Sequence, residues 1–267
     1  MRYVIDHDYH IHSWLSSCSA DPEQSNERIL RYAEENGLKQ ICLTNHFWDE
    51  KVEGAIDWYA AQGYEHISQA LPLPQSEKVR FLFGCETELN LSMTLGISPQ
   101  RYDCFDFIVI PTTHLQLKGF TISEKDSSAP ESIAKCWIDR LESILDMSLP
   151  FHKVGIAHLT SCYLAPASRE EWLEVLDLIP ERTLVKLFCK AANRGVGIEL
   201  NPFAINCTDK EAVTVLRPYQ IAKQCGCRFY CGSDAHHPQA LYSAKVTLER
   251  TIVWLELQEE DTWEVPV

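Results

Sequence analysis

The chain has 267 residues, 45% of them apolar, and its 38 acidic residues against 24 basic ones give a formal net charge of −14. That length and apolar content suffice for one well-buried core, and α/β barrels often reach this size as a single domain. Because so acidic a surface repels the phosphate backbone, long nucleic acid is not an expected partner.

The cysteines and the distribution of apolar residues predict a cytoplasmic protein with reduced thiols. Eleven cysteines, an odd number, are spread along the chain, a pattern typical of free thiols in a reducing compartment. Asp6 and Asp8 interrupt the first apolar run, so it does not resemble a secretory signal. No run of eighteen apolar residues predicts a membrane span. Without repeats or linkers, residues 1–267 are interpreted as one domain.

Short β-rich runs alternate with longer helical ones along the whole chain. The predicted strands are, in order, 3–9, 40–44, 79–84, 105–110, 154–157, 197–200 and 228–231. Ser25 is a predicted N-cap for a first helix that ends at Gly37. Further helices are predicted over 55–70, 130–146, 169–192, 209–224 and 239–257. This alternation predicts a parallel sheet with both faces covered, either an open doubly wound sheet or a barrel.

Polar side chains at the ends of the predicted strands favour the barrel. No glycine-rich phosphate loop follows the first strand, as a doubly wound nucleotide-binding sheet requires. Instead, metal-competent or polar residues follow every strand: His10 and His12, His46, Glu86, His114, His158, Asn201, and Asp234 with His236. In a parallel barrel all these strand ends lie on one face, so we expect residues from the whole chain to meet there.

Histidines and carboxylates in this arrangement predict a cluster of divalent metal ions. Six of the ten histidines belong to it, and imidazoles with carboxylates bind Zn²⁺, Mn²⁺ or Fe²⁺ without excluding any of the three. A carboxylate can bridge two ions, so Glu86 is the expected bridge. Paired ions about 3.5–4 Å apart produce a hydroxide near neutral pH and neutralise charge on a phosphoryl oxygen. The alternative is that Glu86 is a helix-cap or salt-bridge carboxylate.

These motifs resemble the PHP (polymerase and histidinol phosphatase) family over almost the whole chain. The resemblance depends on residues 8–12, 44–46, 84–86 and 232–236 and on the isolated His114 and His158. It implies a distorted seven-stranded (β/α)7 TIM-like barrel that binds two or three zinc, manganese or iron ions. The implied ligands are His10, His12, Glu86 and Asp234 for the first ion, Glu86, His114 and His158 for the second, and His46 and His236 for a third.

The chain departs from the family pattern at the third ion. A family histidine is expected six residues after His12, where this sequence has Cys18. A thiolate can bind zinc or iron, so Cys18 is a candidate ligand; alternatively the third site is weak and two ions remain. Asn45 also replaces a common aspartate, which should affect only the orientation of ligands.

The resemblance implies hydrolysis of a small phosphomonoester by a metal-bridging hydroxide, with Glu86, Asp234 and His236 as catalytic residues. His236 or His237 is a candidate acid for the leaving alcohol if the third ion is absent. Lys118 and Arg169, in loops that follow strands, are candidate contacts for the substrate phosphate. The aromatic residues 14, 47 and 48 follow ligand motifs and are candidates for the pocket wall.

Several functions remain open at this point. Histidinol phosphate is one candidate substrate, and a nucleotide or oligonucleotide phosphoesterase is the near alternative. A metal-dependent amidohydrolase is disfavoured because no lysine ends a strand to bridge the ions. A metal-stabilised, non-catalytic PHP module is the remaining interpretation, although such a module has no need of a complete ligand set.

Overall fold

The computed structural model describes residues 1–19 and 21–266. It contains a parallel barrel of seven strands, and an additional two-residue strand pairs outside this order. The strands are β1 His7–Ile11, β2 Gln40–Leu43, β3 His46–Phe47, β4 Arg80–Thr87, β5 Phe107–Pro111, β6 Val154–Ala157, β7 Gly197–Leu200 and β8 Arg228–Cys231. They pair in the order β1-β2-β4-β5-β6-β7-β8, and the two-residue β3 pairs with the far end of β4 beyond β2. The predicted seven-stranded α/β barrel is therefore confirmed, and the open doubly wound sheet is wrong.

Helices follow the strands and cover the outside of the barrel. They are α1 Asn26–Glu35, α2 Asp57–Ala60, α3 Tyr64–Ile67, α4 Pro130–Asp146, α5 Arg169–Leu178, α6 Glu181–Arg194, α7 Ala212–Val215, α8 Arg217–Gln224 and α9 Pro238–Trp254. As predicted, the Ser25 side chain caps α1 by accepting from the Arg28 amide, and Gly37 follows its end with φ of +68°. No helix in the described ranges is long and apolar enough to cross a membrane.

Three predicted continuous helices are each broken in two. Pro180 separates α5 from α6 because it has an extended backbone and lacks an amide proton. Pro218 lies in the first turn of α8, where its missing amide costs nothing, and thereby starts a new helix after α7. Gly63 is extended between α2 and α3. The predictions of single helices over 55–70, 169–192 and 209–224 are wrong for these reasons.

The barrel closes between β8 and β1 partly through side chains. The Cys231 amide donates to His7 Nε2 at 3.0 Å, and the Ser233 amide donates to Asp8 Oδ1 at 2.9 Å. Beyond the end of β8, the Asp234 amide donates to the His10 carbonyl at 2.7 Å. One isolated parallel bridge, between residues 11 and 235, completes this seam. Side chains of β1 thus replace part of a regular ladder, which makes the barrel nearly closed and distorted.

Apolar side chains fill the barrel below the strand ends. Tyr9, Phe107, Tyr230 and Trp263 pack together there, and the Trp263 amide donates to the Phe229 carbonyl. A larger apolar layer lies between the strands and the helices. With this apolar plug beneath them, the polar residues at the carboxyl ends of the strands form a separate, upper layer of the interior.

Candidate metal centre

Glu86, near the end of β4, lies at the centre of the converging histidines. Its Oε2 atom is 2.9 Å from His46 Nδ1, 3.3 Å from His12 Nε2 and 3.5 Å from His10 Nε2. Its Oε1 atom faces the other side, 3.9 Å from His158 Nε2 and 4.0 Å from His114 Nε2. The two oxygens therefore face two separate groups of imidazoles, which is the arrangement a bridging carboxylate needs.

Asp234, just after β8, approaches the same histidines from the opposite wall. Its Oδ1 atom is 3.3 Å from His12 Nε2 and 3.5 Å from His10 Nε2, while Oδ2 is 3.3 Å from His158 Nε2. Asp234 and His158 both have positive φ, 54° and 58°, a conformation that costs energy for residues other than glycine. The backbone is thus strained just after β6 and just after β8, at the two residues whose side chains are directed into the cluster.

Buried polar atoms without partners indicate that the cluster fits cations. Among the described residues, both oxygens of Glu86, Oδ1 of Asp234 and Nε2 of His158 are buried and accept or donate no hydrogen bond. Leaving such groups unsatisfied costs about 1–3 kcal/mol each, and more for charged ones. Divalent ions bound between these atoms would satisfy them, and carboxylates with imidazoles are the donors that Zn²⁺, Mn²⁺ and Fe²⁺ accept.

The side chains form three overlapping groups, each with potential ligand atoms within 4.8 Å of one another. These are His10, His12 and Asp234; His10, Glu86 and His158; and His12, Cys18, His46 and His236. The first group lacks Glu86 of the implied first site, and the second contains His10 in place of His114 of the implied second site. The third group places Cys18 beside His46 and His236. Cys18 thus lies where the histidine that the family pattern expects would bind the third ion.

Burial opposes a charge on His10, His12 and His114, but the facing carboxylates raise the pKa of all three, so these imidazoles would release protons when an ion binds. The other shifts favour the ligand forms. Burial acts to raise the pKa of Glu86, but the facing imidazoles, His46 first, hold it well below the ordinary range. For Asp234, burial likewise acts to raise the pKa, but His10 and other imidazoles lower it well below its ordinary value. Burial lowers the pKa of His158 and of His236 to about 4. Ionised carboxylates and neutral imidazoles are the ligand forms of these groups.

Glu199, at the end of β7, orients two ligands and was not assigned a role from the sequence. Its Oε1 atom is 2.5 Å from His10 Nδ1, and its Oε2 atom accepts from the His158 amide at 3.0 Å. A Cβ atom at Gly232 would overlap Glu199 Oε1 and lie 2.7 Å from His10 Cβ, so only glycine fits there. The position of Glu199 at the end of a predicted strand, like that of the ligands, was the feature of the sequence from which its orienting role could have been predicted.

Two further buried networks orient His114 and His12. Glu88 Oε2 lies 2.9 Å from His114 Nδ1, and the fully buried Arg140 of α4 pairs with the other oxygen of Glu88. His12 Nδ1 lies 2.8 Å from Ser16 Oγ, which in turn donates to Asn45 Oδ1 at 3.0 Å. Such contacts leave the Nε2 atoms free to face an ion, and the Asn45 side chain contacts His12 through Ser16.

A pocket of about 780 Å³ opens above the cluster. Its lower part is formed by Cys18, His46, Glu86, His114, His158, Asp234 and His236. Its walls include Trp58, Tyr163 and Phe203, together with small and polar side chains from the first turns of α9. Seven of the nine predicted ligands therefore lie at the bottom of an open site that a small molecule can enter, whereas His10 and His12 do not line it.

The predicted substrate contacts lie elsewhere. Arg169 is exposed and pairs with Glu211 through two short contacts of 2.5 and 2.6 Å. Lys118 is exposed, and neither it nor Arg169 lines the pocket. Their role toward substrate stays a prediction.

The expectation that residues 14, 47 and 48 wall the pocket is wrong. Phe47 and Trp48 are buried, Phe47 against Phe105 and Trp48 against Tyr59 and Phe120, and Trp14 is 52% exposed outside the pocket. The short strand β3 turns the two aromatic residues after His46 into the core. The aromatic residues that line the pocket are instead Trp58 of α2, Tyr163 after β6 and Phe203 after β7.

The architecture is that of a known phosphatase. The chain aligns with the crystal structure of histidinol phosphate phosphatase from Lactococcus lactis subsp. lactis Il1403, solved with zinc, L-histidinol and phosphate. The alignment has a TM-score of 0.58 and covers 93% of this chain and 94% of that one, at 16% sequence identity. Sequences this different share the fold, which does not by itself assign a function. No protein-family model and no curated protein matches the chain.

Proposed function

We propose that the protein is a metal-dependent phosphomonoesterase and that residues 1–267 form one PHP-type metallohydrolase domain. The observation that carries this proposal is Glu86, whose two buried oxygens lack partners among the described residues and face two groups of imidazoles. The structurally similar phosphatase, which was solved with zinc, phosphate and an alcohol in the same type of barrel, supports it.

The proposed ligands are His10, His12, Glu86, His114, His158 and Asp234 for two ions, and Cys18, His46 and His236 for a third. When bound, the ions neutralise charge on the phosphoryl group and provide a nucleophile at neutral pH. Glu86 and Asp234 hold the negative charge that fixes the ions, while Glu199 and Glu88 hold His10 and His114 in orientation.

The proton for the leaving alcohol is proposed to come from a residue that lines the pocket and is not itself a metal ligand. His236 Nδ1 lies 2.8 Å from the Asp234 carbonyl, so its Nε2 atom is available to the cluster and His236 is proposed as a ligand. His237 lines the same pocket and has no partner in the cluster. It is the proposed proton donor, with solvent as the alternative because the pocket is open.

The proposed function predicts that metal content and phosphatase activity are lost together. We expect elemental analysis of the purified protein to give at least two divalent ions per chain, and a panel of phosphomonoesters to include a substrate. His10→Ala should lose metal and lower kcat/KM at least about a hundredfold, because His10 belongs to two of the three ligand groups. His152→Ala, an exposed histidine far from the cluster, is the matched control. Equal rates in the two variants would refute the mechanism.

Cys18 is expected to bind the third ion as a thiolate. Protein loaded with Co²⁺ should show the near-ultraviolet charge-transfer absorption of a cobalt–thiolate bond, because the Cys18 sulfur lies with three imidazoles within 4.8 Å. Cys18→Ser should remove this band, whereas Cys162→Ser, a partly exposed cysteine outside the three groups, should retain it. Identical spectra for wild type and Cys18→Ser would exclude Cys18 as a ligand.

A further inference from the structure

The wall of the pocket beside the proposed metal ligands is aromatic. The Trp58 ring centroid lies 5.0 Å from that of His46, and the Tyr163 centroid lies 5.9 Å from that of His114. Phe203 lies 5.0 Å from Tyr163 and remains 43% exposed. Large rings left accessible at a concave site are typical ligand contacts. Ring surfaces therefore border the place where a bound phosphate would be held.

Apart from the proposed metal ligands, the pocket walls carry no carboxylate, lysine or arginine among the described residues. An ammonium group on the substrate would find no carboxylate that is not already assigned to an ion. It would also share the pocket with divalent cations, which repel it. A positively charged leaving group is therefore disfavoured, although the protein as a whole is acidic.

One polar atom in the wall points to a donor on the ligand. Gln116 lines the pocket, and its Oε1 atom is buried with no hydrogen-bond partner among the described residues. Buried acceptors in folded proteins are nearly always satisfied. A hydroxyl or N–H group at the edge of an aromatic ring is an uncharged group that would satisfy it.

We propose that this pocket selects phosphate monoesters of uncharged alcohols that carry an aromatic ring. The ring lies against Trp58, Tyr163 and Phe203, and the phosphate lies at the metal ligands. A volume of about 780 Å³ holds a phosphate and one such ring within the usual range of small-molecule sites. This inference rests on the proposed phosphomonoesterase function and adds the class of its leaving group.

The test compares esters that differ in one group. 3-Phenylpropyl phosphate and phenylalaninol phosphate have the same ring and chain, and only the second carries an amine. On metal-loaded protein, we expect kcat/KM for 3-phenylpropyl phosphate to be at least about tenfold higher than for phenylalaninol phosphate. We expect kcat/KM for glycerol 1-phosphate, which has no ring, to be lower than for 3-phenylpropyl phosphate. A preference for phenylalaninol phosphate or for glycerol 1-phosphate would overturn the inference.

Removal of one ring should act on binding and not on the chemical step. Phe203→Ala is expected to raise KM for 3-phenylpropyl phosphate about tenfold and to leave kcat within about twofold, because the ring lies away from the reacting phosphorus. Tyr242→Ala removes a ring that is 42% exposed outside the pocket, and it should change neither value. An unchanged KM in Phe203→Ala would contradict the assigned position of the ring.

A binding measurement separates this inference from the proposed function. Calorimetry on metal-loaded protein would compare 3-phenylpropylphosphonate with its 2-amino derivative, neither of which can be hydrolysed. Tighter binding of the compound without the amine supports the selectivity of the pocket, even if no monoester is turned over and the phosphatase proposal fails. Equal or weaker binding overturns the inference, even if phosphomonoesters are hydrolysed.

Discussion

Glu86→Gln is expected to lower kcat/KM for phosphomonoesters at least about a thousandfold. The amide has nearly the same shape but no charge, and its NH₂ group would point donors at one of the two groups of imidazoles that now face carboxylate oxygens. Under the proposed function the change removes a ligand that two ions would share, so metal content should fall with activity.

The control for this variant is an exposed glutamate on α9. Glu249→Gln removes the same charge from the surface and should leave activity and metal content unchanged. Full metal content with wild-type kinetics in Glu86→Gln would show that the cluster is not the catalytic centre.

Arg140→Met is expected to destabilise the protein by about 3–5 kcal/mol, which lowers the melting temperature by about 6–20 °C. The Arg140 guanidinium is fully buried, pairs with Glu88 and donates to the carbonyls of Thr112 and Leu89. Without it, the Glu88 carboxylate stays buried and retains only His114 as a side-chain partner. Loss of this pair should also weaken metal binding, since Glu88 orients His114.

A double variant tests whether the cost comes from the unpaired charge. Denaturant unfolding of metal-free Arg140→Met/Glu88→Met should recover part of the loss seen in Arg140→Met, because no buried carboxylate is left alone. Lys186→Met breaks an ion pair with Glu142 whose lysine is 69% exposed, and it should cost less than about 1 kcal/mol. A loss in Arg140→Met no larger than in Lys186→Met would contradict the assigned role.

The elements that determine the site were predictable because their signal is local. The strands at 154–157, 197–200 and 228–231 begin and end as predicted, since each is a short apolar run bounded by polar or turn residues. The ligands follow strand ends, and parallel strands bring those ends to one face whatever the loops do. Chain order alone therefore indicated that His10, Glu86 and Asp234 meet.

The supporting residues and the pocket wall were not predictable in the same way. Arg140 lies on the buried face of a helix and reaches Glu88 across 52 residues, and nothing in its neighbourhood marks it as different from a surface arginine. Trp58, Tyr163 and Phe203 come from segments whose positions depend on tertiary packing. The aromatic residues beside His46 were misplaced because a two-residue strand, too short to predict, directs them inward.

The seam between the first and last strands determines when the centre can exist during synthesis. His7 and Cys231, which meet across it, are separated by 224 residues, and Asp234 follows on the same side. A nascent chain therefore exposes most of the proposed ligands, Glu86 among them, long before Asp234 leaves the ribosome. Until the last strand meets the first, the proposed site lacks one of its two carboxylates, so under the proposed function tight metal binding would mark chains that have folded through to the end of the barrel.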